Sequence, residues 1–167
     1  FLPFAIPGIV AAMVWMYIYT PELSPIVKFF DSLGLHVDFM APGAPILASM
    51  ANMTTWTYTG YNMLIFLAAL QAIPHELYEA ARLDGASSWQ IVRSIKIPMV
   101  SSAALLAVLL SIIGTIQIFN EPAVMYSSNR WMGNAYTPMM MDYNTMFGQI
   151  SPGGDGPASA ISIVMAL

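Results

Sequence analysis

The sequence contains no cysteine, and only 8% of its 167 residues carry a formal charge. Without cysteine there is no disulfide scaffold, no thiolate metal site and no Cys nucleophile. Basic residues are scarce: five Lys and Arg stand against nine Asp and Glu, for a net charge of −4. So few cations cannot neutralise many phosphates, which excludes a nucleic-acid-binding surface. No Gly-x4-Gly-Lys-Ser/Thr phosphate loop occurs, so the chain does not bind ATP in that manner, and there is no Gly-x-Ser-x-Gly elbow. His36 and His75 have no partner at metal-ligand spacing. His75 reads as a solvated residue at a helix start, and Met139-Met140-Met141 offers thioethers alone, a weak argument for a soft metal. No catalytic, cofactor or metal residue is assigned.

Apolar residues make up 57% of the chain and mean hydropathy is +0.66, whereas soluble domains carry nearer a quarter charged residues. The charges are spaced so as to leave long gaps. Uncharged runs extend over Phe1–Pro21 (21 residues), Phe39–His75 (37), Ile97–Asn120 (24) and Gly156–Leu167 (12). About 20 apolar residues at 1.5 Å each cross a hydrocarbon core of ~30 Å. The fold class is therefore expected to be all-α, a polytopic transmembrane helical bundle forming one domain. Spans are expected over about 1–20, 44–70 and 99–120, with a fourth opening at 157–167. A soluble bundle with a Met-rich core is the bland alternative, but it still needs a charged outer surface. Pro3 and Pro7 are expected inside the first span, tolerated where neighbours satisfy the freed carbonyls. Trp15, Tyr17 and Tyr19 cluster at its end, as in an interfacial aromatic belt. The chain starts with Phe and stops inside an apolar run, with no signal-peptide pattern, so it reads as a fragment of a longer protein.

Arg82, Arg93 and Lys96 fall between Gln71 and Pro98, while Lys28 and Arg130 sit one in each flanking loop. The positive-inside bias then places residues 71–98 in the cytoplasm and residues 21–43 and 121–156 outside. Ser24–Leu35 is expected to form a short amphipathic helix with Ile26, Phe29, Phe30 and Leu33 on one face, suited to the membrane interface. Residues from Pro122 to Asp155, broken by Pro, Gly and Asn, read as loop. Their exposed aromatics suit docking of an external protein, and disorder or packing against helices outside this stretch accounts for them equally well.

The 71–98 segment reads as two short helices joined by a turn. Pro74 is acceptable in a first turn, and Glu76 and Glu79 lie near the positive end of the helix dipole. Ala80-Ala81 permits close approach of another surface. Asp84-Gly85 supplies the C-terminal turn, Ser87 and Gln90 have capping-box spacing, and Pro98 marks the passage into the third span. Glu79 and Arg82, at i, i+3, either pair with each other for a few tenths of a kcal/mol or aim their charges at a partner protein. Periodicity leaves these readings even.

The pattern Glu79-Ala80-Ala81-x3-Gly85-x9-Ile95-x-Ile97-Pro98, within Leu77-Tyr-Glu-Ala-Ala-Arg-Leu-Asp-Gly-Ala86, resembles the EAA loop of permease subunits of binding-protein-dependent ABC importers. It is most similar to the carbohydrate branch, the maltose and glycerol-3-phosphate type. Similarity continues through Asn62–Pro74 and the opening Leu2-Pro3-Phe4-Ala5-Ile6-Pro7, so it covers essentially the whole chain. The chain departs from the family in carrying Ile97 where Leu is usual and Ser102 where many relatives have a second Pro. The resemblance implies a non-catalytic subunit in a bacterial or archaeal inner membrane. Its implied partners are a second related permease, two ABC ATPase subunits that use ATP, an external solute-binding protein and membrane lipid. It also implies ATPase coupling through Glu79, Ala80, Ala81, Arg82, Asp84, Gly85, Ile95 and Pro98. Rival readings are a permease for amino acids, peptides or ions, and a non-transporting scaffold.

Polar residues inside spans tend to face a bundle interior or a water path. Thr54, Tyr58, Tyr61 and Asn62 follow i, i+4, i+7, i+8, and Ser111, Thr115 and Asn120, with Gln117, make a shorter stripe. These groups suit a neutral polyol or sugar, and they equally suit packing between helices. The resemblance places a translocation path between these helices and the partner permease.

Overall fold

The structure, a computed structural model, describes residues 1–166; only Leu167, the last residue of the expected fourth span, lies outside. Among the described residues there are helices and no strand. The expected first span is two helices, α1 (Leu2–Ala5) and α2 (Gly8–Tyr19). Neither proline sits in a helix interior. Pro3 lies in the first turn of α1, and Pro7 is the residue before α2, with Ile6 held extended by the proline that follows it. A short helix α3 (Pro25–Ser32) follows, capped by Ser24, whose Oγ accepts from the amides of Ile26 (3.2 Å) and Val27 (3.1 Å).

Helix α4 (Ala44–Gln71) fills the second apolar stretch, and its 28 residues run about 42 Å. The hydroxyls along it are satisfied locally. Thr57 Oγ1 donates to the Met53 carbonyl at 3.0 Å, and Thr54 Oγ1 lies 3.0–3.2 Å from the carbonyls of Ala51 and Met50. Helices α5 (His75–Leu83) and α6 (Ser88–Ile91) lead through a π-helical turn, Val92–Lys96, into α7 (Ile97–Ile116). The third apolar helix thus ends four residues before the expected boundary. Asn120 instead opens α8 (Asn120–Ser128).

Residues 122–155, expected as loop, are largely helical: the rest of α8, a 3-10 turn at Arg130–Met132, and α9 (Pro138–Met146). The residues that suggested loop are helix starts and stops. Pro122 and Pro138 occupy first turns, where the missing amide is no loss, and Thr137 caps α9 by accepting from the Met140 amide at 3.3 Å. The last helix, α10 (Asp155–Ala166), begins two residues before the expected boundary and packs on α9.

The core sits at one end of the bundle. Tyr19, Met40, Ile46, Met50, Met53, Met125 and Met132 form one buried cluster where α2 ends and α4 begins, closed by α8 and the turn after it. Polar ties reinforce it: Asn52 Nδ2 donates to Tyr19 Oη at 2.8 Å, and Ser49 Oγ to the Phe39 carbonyl at 2.7 Å. Residues 72–96 lie at the other end of α4. Helix α7 is different in character. Of its side chains only Ala107 is buried, while Leu105, Leu106, Val108, Leu109, Ile112 and Ile113 face outward. Among the described residues the stretch Ser88–Ser128, interrupted at 117–119, contains the one helix long and apolar enough to cross a membrane. Soluble monomers rarely expose so many large apolar side chains side by side.

Candidate functional site

The segment between α4 and α7 is built from local signals that all agree. Pro74 precedes α5 with extended backbone, Glu76 lies in the first turn and Arg82 in the last, matching the helix dipole. Asp84 ends the helix and Gly85 follows at φ +77°. The Gly85 amide then bonds the Arg82 carbonyl (3.1 Å) and the Ala86 amide the Ala81 carbonyl (2.9 Å), the two bonds of a Schellman stop. Two residues later Ser87 and Gln90 form a reciprocal capping box: Gln90 Oε1 accepts from the Ser87 amide (2.7 Å), and Ser87 Oγ from the Gln90 amide (3.4 Å).

None of the side chains of α5 is buried. Glu79, Ala80, Arg82, Asp84 and Gly85 are exposed and Ala81 is half-buried. Glu79 and Arg82 do not pair; the carboxylate Oε1 of Glu79 instead lies 4.0 Å from His75 Nε2. Two large apolar groups also point outward beside the turn, Leu83 (89% exposed) and Trp89 (69%). Neither was singled out from sequence, because a lone apolar residue next to a turn breaks no periodicity. The loop is held back to the membrane helix by Lys96, whose Nζ lies 5.7 Å from the centre of the Tyr78 ring.

Ile95 and Pro98 sit at the junction. Helix α6 does not end at Pro98: it passes without a break into α7, with Pro98 in that helix's first turn. A proline there would clash with the carbonyl four residues back in a regular helix. The π turn just before it, in which the Ile97 amide bonds the Val92 carbonyl, widens the helix at that point.

Along α4 and α7 a groove of about 540 Å³ is lined by Asn62, Phe66, Ala104, Ser111 and Thr115, among others. A second hollow of about 500 Å³ shares Phe66 and Ala104 with it and extends past Leu70 to Lys96. The groove therefore runs from the middle of α4 down to the π turn. The walls of the first hollow are apolar apart from Asn62, Ser111 and Thr115, and the second adds Ser101 and Lys96. The hydroxyls of Ser111 and Thr115 donate to their own helix at Ala107 and Ser111 (both 2.8 Å), leaving oxygen lone pairs available.

Of the polar residues expected to share a path, only Asn62, Ser111 and Thr115 come together. Tyr58 and Tyr61 turn toward α1, their rings 5.8 and 4.9 Å from that of Phe4. Thr54 is engaged with its own backbone. Asn120 lies across from Gly8, where its Nδ2 would come within 2.7 Å of an added Cβ. The expected single face of α4 is thus divided between two neighbours.

A mostly outward-facing apolar bundle, with a self-capped helix–turn–helix standing off one end, is the architecture of a membrane protein. The class becomes a family on comparison: the chain belongs to the binding-protein-dependent transport system inner membrane components, whose model matches residues 1–167. Among relatives, it is 36% identical over 124 residues to a probable ABC transporter permease of Pyrococcus horikoshii (71% of this chain, 42% of that protein). It is 32% identical over 166 residues to the trehalose/maltose transport system permease protein MalF of Thermococcus litoralis (98% and 54%). To the sn-glycerol-3-phosphate transport system permease protein UgpA of Yersinia enterocolitica it is 31% identical over 112 residues (67% and 38%). The chain spans about half the length of these relatives, or less.

Proposed function

We propose that this chain is the central part of a permease subunit in an ATP-driven importer of a sugar or a related polyol or glycerophosphate solute. An external solute-binding protein delivers the solute at the end formed by residues 21–43 and 121–156. Two ABC ATPase subunits dock on residues 71–98 in the cytoplasm, and a second related permease completes the path. ATP is used by the ATPase subunits, and this chain carries no cofactor of its own. The observation that carries the reading is the exposed α5–Gly85–α6 unit, rigid by its own caps yet bound to the bundle only lightly. The names of the trehalose/maltose and glycerol-3-phosphate relatives support the substrate class. Glu79, Ala80, Ala81, Arg82, Asp84 and Gly85 present the docking face. Ile95 and Pro98 pass its displacement into α7.

Asn62, Ser111 and Thr115 are the substrate-path residues that the groove favours. They offer amide and hydroxyl groups suited to hydrogen-bonding a neutral polyol, on walls otherwise apolar.

In proteoliposomes of the full-length permease with its partners, Glu79→Ala is expected to lower solute uptake roughly tenfold or more, the loss of one interaction of about 1.4 kcal/mol. Basal ATP hydrolysis by the isolated ATPase subunits stays as it was. Unchanged uptake contradicts the reading.

A further inference from the structure

Helix α3 carries an unpartnered apolar face whose orientation is fixed by the rest of the protein. Val27 is 2% exposed and seats the helix on the bundle, next to α2. Ser24, fully buried, anchors its start, and the turn after it is locked by Gly34 at φ +77° with amide bonds from Gly34 to Asp31 (2.9 Å) and from Leu35 to Phe30 (3.0 Å). The helix cannot roll about its axis to hide other residues without undoing these contacts. Yet Ile26 (44%), Phe29 (61%) and Leu33 (59%) remain exposed.

The angular arrangement points to what covers them. At about 100° per residue, starting from Pro25, Ile26, Phe29, Phe30 and Leu33 gather around ~90°, Val27 lies near 200°, and Lys28, Asp31 and Ser32 gather around ~290°. One flank thus meets the protein body, and the apolar and polar arcs face away from each other on either side of it. This is the arrangement of a helix lying in the plane of a membrane surface, with protein beside it, acyl chains on one side and water on the other. Its place agrees: α3 starts six residues after the end of α2, whose Met13, Val14 and Tyr17 are exposed, and Leu23 and Leu35 extend the apolar surface at both ends.

We propose that α3 is an in-plane anchor, with Ile26, Phe29 and Leu33 inserted among the lipids of the leaflet at the α2–α4 end of the bundle. The partner is the lipid surface itself. Lys28 and Asp31 cancel in charge, so insertion is driven by apolar burial and needs no anionic headgroup.

The test uses the full-length permease in its complex, in nanodiscs of palmitoyl-oleoyl phosphatidylcholine. Single nitroxide labels are placed at Ile26, Phe29, Leu33, Lys28, Asp31 and Ser32, with other cysteines removed. Relaxation by oxygen and by a water-soluble nickel chelate then gives each label's depth. Labels at Ile26, Phe29 and Leu33 are expected about 5–10 Å below the headgroup level, accessible to oxygen and shielded from nickel, while the other three show the reverse. Equal access of nickel to all six positions overturns the proposal. So does shielding of Ile26, Phe29 and Leu33 from both reagents, which assigns the face to a protein partner.

Discussion

Gly85 closes the turn between α5 and α6 with positive φ, and no atom would lie within 4 Å of a Cβ placed there. The cost of a side chain is therefore in the backbone alone, about 1–2 kcal/mol for a left-handed residue. Gly85→Ala is expected to loosen the turn and reduce solute-stimulated ATP hydrolysis by the assembled complex, while Gly85→Asn, which visits this region more readily, keeps more of it. Equal activity of both variants with the wild type contradicts this role. The turn and the Ser87–Gln90 box were legible in sequence because each is decided within a few residues. The polar stripe on α4 was less so. Tyr61 and Asn62 stand about 100° apart on the helix, and periodicity says nothing of which neighbour fills each sector. The structure sends the tyrosine to Phe4 and the amide to the groove.

Among the elements, α4 meets the backbone of Phe1, the residue that precedes α1, at Gly60. A methyl group there would lie 2.7 Å from the Cα of Phe1, a backbone atom that cannot swing aside. Gly60→Ala is expected to push α1 off α4, separate the stacked Phe4 and Tyr61 rings, and cost about 1–3 kcal/mol. Thermal unfolding of the full-length permease in detergent checks it. An unchanged Tm means that the close approach does not bear on stability. At this scale the apolar runs predicted helices well over 44–70, where nothing interrupts the pattern. They misjudged the prolines. Pro7, Pro122 and Pro138 read as breaks, yet each lies before or within the first turn of a helix, because a proline's effect depends on whether its own amide was needed. Ser88–Ile116 shows the converse, one unbroken helical path through Pro98 made possible by a π turn that no residue pattern announces.

In the whole molecule, the buried cluster lies at one end, the exposed helix–turn–helix at the other, and the α4–α7 groove runs between them. The backbone hydrogen bonding continues from α6 through the π turn into α7. On the function proposed above, a displacement of α5 and α6 would pass along this path to the groove wall. Ser111→Trp places a large side chain in the groove at an exposed position, so it is expected to abolish uptake while leaving the free energy of unfolding within about ±0.5 kcal/mol of the wild type. Retained uptake removes the groove from the path.

The central claim, that residues 71–98 receive the motion of an ATPase, is tested most directly by a crosslink. One cysteine replaces Ala81 in the full-length permease, and another is placed in the docking cleft of the ATPase subunit. Oxidation in membranes is expected to join the two subunits, with a yield that changes on addition of ATP. With both proteins present and folded, no crosslink at Ala81 or at neighbouring positions of α5 contradicts the account.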